Sequence, residues 1–114
     1  MSKELIAKLR KAREFDVVIG RMTFTCRRPN DDDAVKWFNG GADISDLTQR
    51  NVIGWAGVTE DDVLGNGSSD PVPFHIDLWK EWVADRSDFW QPIAEKLIDA
   101  YRAHDEQVKE RAKN

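Results

Sequence analysis

The sequence predicts a single α+β domain, mostly helical, with one N-terminal β-hairpin and a C-terminal antiparallel helix pair. Two patterns predict it. Residues 15 to 27 alternate apolar and polar with a break at Gly20-Arg21, and residues 74 to 108 carry large apolar groups at helical spacing. Length supports one domain. At 114 residues the chain can bury roughly two-thirds of the surface its unfolded form exposes.

Residues 3 to 14 are expected to form a helix whose apolar stripe is only Leu5, Ile6 and Leu9, a narrow face that predicts loose docking. Strands near 15–19 and 22–27 follow, with Gly20 free to take the positive φ that a type II′ turn needs at its first central position. Pro29 ends the second strand because it cannot donate to a ladder. In "PNDDDAVKWFNGG", Asn30 or Asp31 caps a short helix that Asn39-Gly40-Gly41 stops. Asp43 or Ser45 opens another, with Ile44, Leu47 and then Val52 or Ile53 continuing its apolar side toward Trp55. Thr59, three residues before Asp62, has N-cap spacing for a turn containing Val63 and Leu64.

"GNGSSDPVP", residues 65 to 73, is expected to be an adjustable loop. Beyond it, Phe74, Leu78, Trp79, Trp82 and Val83 share one helical face, and Phe89, Trp90, Ile93, Leu97, Tyr101 and Val108 share another. A tight corner at Arg86-Ser87-Asp88 joins them, with the second helix starting near Asp88 or at Pro92. Residues 103 to 114 form a charged tail.

Composition excludes some functions. A net charge of −4 opposes nucleic-acid binding, which Lys and Arg must drive. A basic cluster at residues 8 to 13 is flanked by acids, so neither nucleic acid nor membrane is an expected partner. The N-terminus lacks the apolar run of an export signal, and the single cysteine rules out an internal disulfide, so a cytosolic setting is expected.

No constellation points to catalysis, and neither a cofactor nor a metal site is expected. Adjacent carboxylates such as Asp31 to Asp33, or Glu60 to Asp62, point in different directions and read better as helix starts than as cation ligands. The Gly/Ser loop lacks the Lys-Ser/Thr ending of a phosphate-binding P-loop. His75 is expected to cap or flank its helix, His104 to face water, and Cys26 to act as a small hydrophobe on the buried side of the hairpin.

Five tryptophans are many for this length. They either fill a core or anchor an interface, and the candidate protein-binding residues are Trp55, Val58, Trp79, Trp82 and Trp90.

Three segments, "FDVVIGRMTFTCRRP", "NVIGWAGVTEDDVLG" and "PVPFHIDLWKEWVADRSDFWQPIAEKLIDAY", resemble in order and spacing the small tail assembly chaperones of long-tailed bacteriophages and prophages. The likeness spans roughly residues 15 to 101. It implies non-enzymatic work in the cytoplasm of a bacterial host: binding the tape-measure protein, shielding its apolar helices and self-associating along it as a homo-oligomer. No catalytic residue carries over. The rival expectations are a regulatory module that binds a host protein, and a small hydrolase or metal-dependent enzyme using the acids at 31–33 or 60–62.

Overall fold

The computed structural model describes residues 2–41 and 43–113. Among these residues, six helices and three strands run in the order α1 Ser2–Ala12, β1 Glu14–Ile19, β2 Met22–Arg27, α2 Asp31–Gly40, α3 Ile44–Asn51, β3 Val52–Ala56, α4 Glu60–Leu64, α5 Ile76–Ala84 and α6 Ser87–Ala112. The mostly helical α+β class and the N-terminal hairpin are as expected, and the C-terminal helices pack against α3 and each other.

The hairpin pairs Glu14 with Arg27 and Ile19 with Met22, and Gly20 has φ of 62°. No described residue other than glycine has positive φ, so Arg21 does not, which is the II′ pattern. Alternation is sharp: Val17 is buried and its neighbour Val18 is exposed.

A third strand is the main departure. Val52 and Ile53 do not prolong a helix toward Trp55; α3 passes directly into β3, which pairs antiparallel with β2. Asn51 braces this abrupt exit by donating from Nδ2 to the Leu47 carbonyl one turn back, at 2.8 Å. Between Thr25↔Gly54 and Cys26↔Val52 the register slips, leaving Ile53 as the extra residue of a β-bulge. Gly57 follows β3 with φ of 75°, and a Cβ there would lie 2.4 Å from the Arg21 carbonyl oxygen, so glycine is needed where the chain passes the hairpin turn.

The helices have legible starts. Asn30 Oδ1 accepts from the Asp33 amide at 2.8 Å, and Asp43 Oδ1 from the Asp46 amide at 2.8 Å. Thr59 and Asp62 form a reciprocal capping box. The expected adjustable loop is instead tied down, because its carbonyls serve the other open amides of α4. Glu60 N donates to Asp70 O at 3.0 Å and Asp61 N to Ser68 O at 2.9 Å, while Val72 N reaches Val58 O at 2.9 Å.

His75 caps α5, its Nδ1 accepting from the Asp77 amide at 3.2 Å. The final helix begins at Ser87, so Pro92 lies inside it and not at its start. Arg86 grips Asp88 through Nε and Nη2 at 2.9 and 2.8 Å, which braces the first turn that lacks a side-chain cap.

Phe24 fastens the sheet to the helices. Its ring centroid lies 5.2 Å from that of Trp79 and 5.6 Å from that of Phe89, and Trp55, its partner across the β2–β3 ladder, meets it edge-on at 6.4 Å. Leu47, Val52, Val58, Val83, Ile93 and Leu97 complete this core. Each fully buried large side chain contributes roughly 1.5–3 kcal/mol relative to exposure. The radius of gyration, 15.8 Å, exceeds the roughly 13 Å of a compact chain this long. One cause is α1, which has no buried residue.

Candidate functional site

The five candidate contact residues fall into two groups. Val58, Trp79 and Trp82 are buried, so as packed they present no surface to a partner. Trp55 and Trp90 are half-buried and lean on the same core. The physical reason is packing: rings from β2, β3, α5 and α6 meet edge-to-face, as Trp55 and Trp82 do at 5.7 Å and Trp82 and Phe89 at 5.4 Å.

Most indole N–H groups are also committed inward. Trp55 Nε1 donates to Val72 O at 2.7 Å, Trp79 Nε1 to Thr48 O at 3.3 Å and Trp90 Nε1 to Val83 O at 2.7 Å. Trp82 Nε1, by contrast, is buried without a hydrogen-bond acceptor.

Burial, with Asp16 adding to it, pushes the Cys26 thiol up to about 12, so it stays protonated at neutral pH and packs as an apolar group. Glu60 and Asp61 are exposed, and Asp62 is spent on the capping box. Asp31 accepts from the Tyr101 hydroxyl at 2.9 Å, which ties α6 to α2. His104 is half-buried, so it is only partly open to water. No cluster of three potential metal ligands occurs among the described residues, and no described helix is long and apolar enough to cross a membrane.

Two surface features remain. One is α1, on which every described residue is exposed. Leu5, Ile6 and Leu9 are 62%, 47% and 53% exposed along one stripe. Lys3, Lys8, Arg10 and Lys11 occupy the rest of the helix against the single acid Glu4. This is a cationic amphipathic helix whose apolar side has nothing packed on it.

The other is a cavity of about 300 Å³ at the open end of the hairpin, lined by Arg13, Arg27, Arg28 and Arg50 with Asp33 the one acid. Hairpin register places Arg13 beside Arg28, and the Arg28 amide donates to the Arg13 carbonyl at 2.9 Å. The residue Arg50 arrives on α3, where one nitrogen pairs with Asp46 at 2.9 Å. Arg27 Nε is buried and has no acceptor. Burial, and then the nearby charge of Arg13, pull the Arg28 pKa below its ordinary value.

Sequence reasoning missed this cluster. The signal was present in part: pairing Glu14 with Arg27 puts Arg13 opposite Arg28, whereas nothing local brings Arg50 to them. Comparison with protein-family models, with characterised proteins and with solved structures finds no significant match.

Proposed function

We propose that this chain is a non-enzymatic, protein-binding adaptor that captures an amphipathic helical segment of its partner on α1. One observation carries the reading: an entire amphipathic helix leaves Leu5, Ile6 and Leu9 in water. Exposing three large aliphatic groups forgoes roughly 1.5–3 kcal/mol of burial apiece, which a helix laid along the stripe recovers. The surrounding lysines and arginines favour an acidic rim on that helix.

The resemblance of residues 15 to 101 to tail assembly chaperones supplies the candidate client, the tape-measure protein, and with it action in the cytoplasm of a bacterial host. In this proposal α1, which lies outside the resembling span, does the capturing and the tryptophan core holds its platform rigid. Trp79, Trp82 and Val58 act through stability and not through contact. Self-association along the client remains part of the proposal, and the regulatory alternative differs only in the partner.

The test is co-expression with the tape-measure protein of the same genome, reading its soluble fraction and its co-purification with this chain. The double variant Leu5→Glu, Leu9→Glu is the control. Wild type is expected to raise soluble client and to co-purify with it, and the variant to do neither while its own stability changes by no more than about 0.5 kcal/mol, as for surface substitutions. Equal capture by both overturns α1 as the binding element. Recovery of a host protein in place of the tape-measure protein overturns the chaperone assignment and favours the regulatory module.

A further inference from the structure

We propose that the arginine-lined cavity at the open end of the hairpin binds the phosphate group of a small phosphorylated molecule through Arg13, Arg27, Arg28 and Arg50. This site is separate from α1, and the proposal stands whichever partner α1 takes.

Charge is the first argument. The chain carries a net charge of −4, yet four guanidinium groups from a loop, a strand end and a helix line one cavity with a single carboxylate, Asp33. Like charges brought together oppose folding unless an anion offsets them. The nearby acids offset this only in part: Asp46 pairs with one nitrogen of Arg50, and Asp31, which also accepts from Tyr101, opposes the lowering of the Arg28 pKa.

Hydrogen bonding is the second. Arg28 Nη1 donates to the Pro29 carbonyl at 3.1 Å, but the buried Arg27 Nε has no acceptor at all. A buried, charged donor without an acceptor is costly to the fold, and an anion drawn between the guanidinium groups would offset part of that cost. A guanidinium presents donors in a planar fork that matches two oxygens of a phosphate, and several forks converging on one point match its tetrahedral oxygens.

Shape supplies the third. The β3 bulge at Ile53 sits on the cavity wall, and bulges commonly re-aim side chains beside binding sites. No aromatic side chain lines the cavity, so nothing there stacks on a nucleobase. The phosphate itself is what the wall recognises. Burial first, and then the charge of Arg13, lower the Arg28 pKa, and a bound dianion would oppose the second of these.

Isothermal titration of the full chain at fixed ionic strength tests this, with inorganic phosphate, pyrophosphate and glucose 6-phosphate as probes and chloride and a glutamate-rich peptide as controls. Saturable one-to-one binding of at least one phosphate probe is expected, weakened about tenfold by Arg27→Gln and by Arg50→Gln. Arg27→Lys, which keeps the charge and loses the fork, is expected to restore binding only in part. Arg50 is exposed, so its variant folds even if replacing Arg27 disturbs the strand end. Phosphate probes that behave like chloride, or bind both Gln variants as tightly as wild type, overturn the proposal. So does binding of the peptide alone, which gives the cavity to an acidic protein segment.

Discussion

Replacing Trp82 and Trp90 separately by Phe sets a buried indole against a half-buried one. Both lie at the α5–α6 corner and both rest on the core, but their N–H groups differ: Trp90 Nε1 donates to Val83 O at 2.7 Å, and Trp82 Nε1 has no acceptor. Each change removes a similar volume of ring, at a cost of about 1 kcal/mol in lost transfer energy and residual cavity. Trp90→Phe also loses a hydrogen bond worth about 0.5–1.5 kcal/mol, although the Val83 carbonyl keeps the Arg86 amide as a donor at 3.0 Å. Trp82→Phe instead removes a buried unsatisfied donor and regains about 1–3 kcal/mol, so it is expected to be neutral or stabilising. The two variants should therefore differ by at least about 1.5 kcal/mol in urea unfolding, or about 6 °C in Tm for a chain of this length. Equal destabilisation would refute the reasoning, because it would mean that Trp82 Nε1 has found an acceptor in the groove beside Leu64 and Asp85.

Thr59→Ala removes the hydroxyl that accepts from the Asp62 amide at 3.2 Å, and should cost about 1 kcal/mol by urea unfolding, with Thr59→Ser recovering most of it. Cys26 gives a pH prediction. Its thiol is raised from an ordinary 9.0 to about 12, so between these values the unfolded chain has lost a proton that the folded chain still holds. Its contribution is complete below pH 9 and falls away as pH rises toward 12, so wild type should lose more stability over that range than Cys26→Ala. A thiol reagent should likewise fail to modify Cys26 in the folded protein and succeed in urea, and rapid modification of the native chain would contradict its burial.

Local chemistry was readable wherever one short stretch carried the whole cause. The Gly20 turn and the alternation around it specify the hairpin because a strand's period of two and a glycine's positive φ are both local facts. Asn30, Asp43 and Thr59 could be recognised as caps because the amide each one serves is three residues away. The stripe on α1 was likewise visible as Leu5, Ile6 and Leu9, although only the structure shows that nothing covers it.

What depended on distant partners was hidden. Val52 and Ile53 fit a helix by spacing and become a strand because β2 offers them an open edge, a pairing that spans the two intervening helices. Five tryptophans announce a large aromatic surface but not its side; Phe24 from the sheet decides it by drawing Trp55, Trp79 and Trp82 inward around itself. Polar loop composition suggested freedom, and the open amides of α4 withdrew it. Arg13 and Arg28 are brought side by side by hairpin register, whereas Arg50 joins them only when α3 packs, since convergence of charge in space leaves no period in the sequence. Sequence determined the elements and their ends through interactions a few residues long, and tertiary structure decided which faces met and which stayed open, because those energies belong to pairs of elements and not to either one.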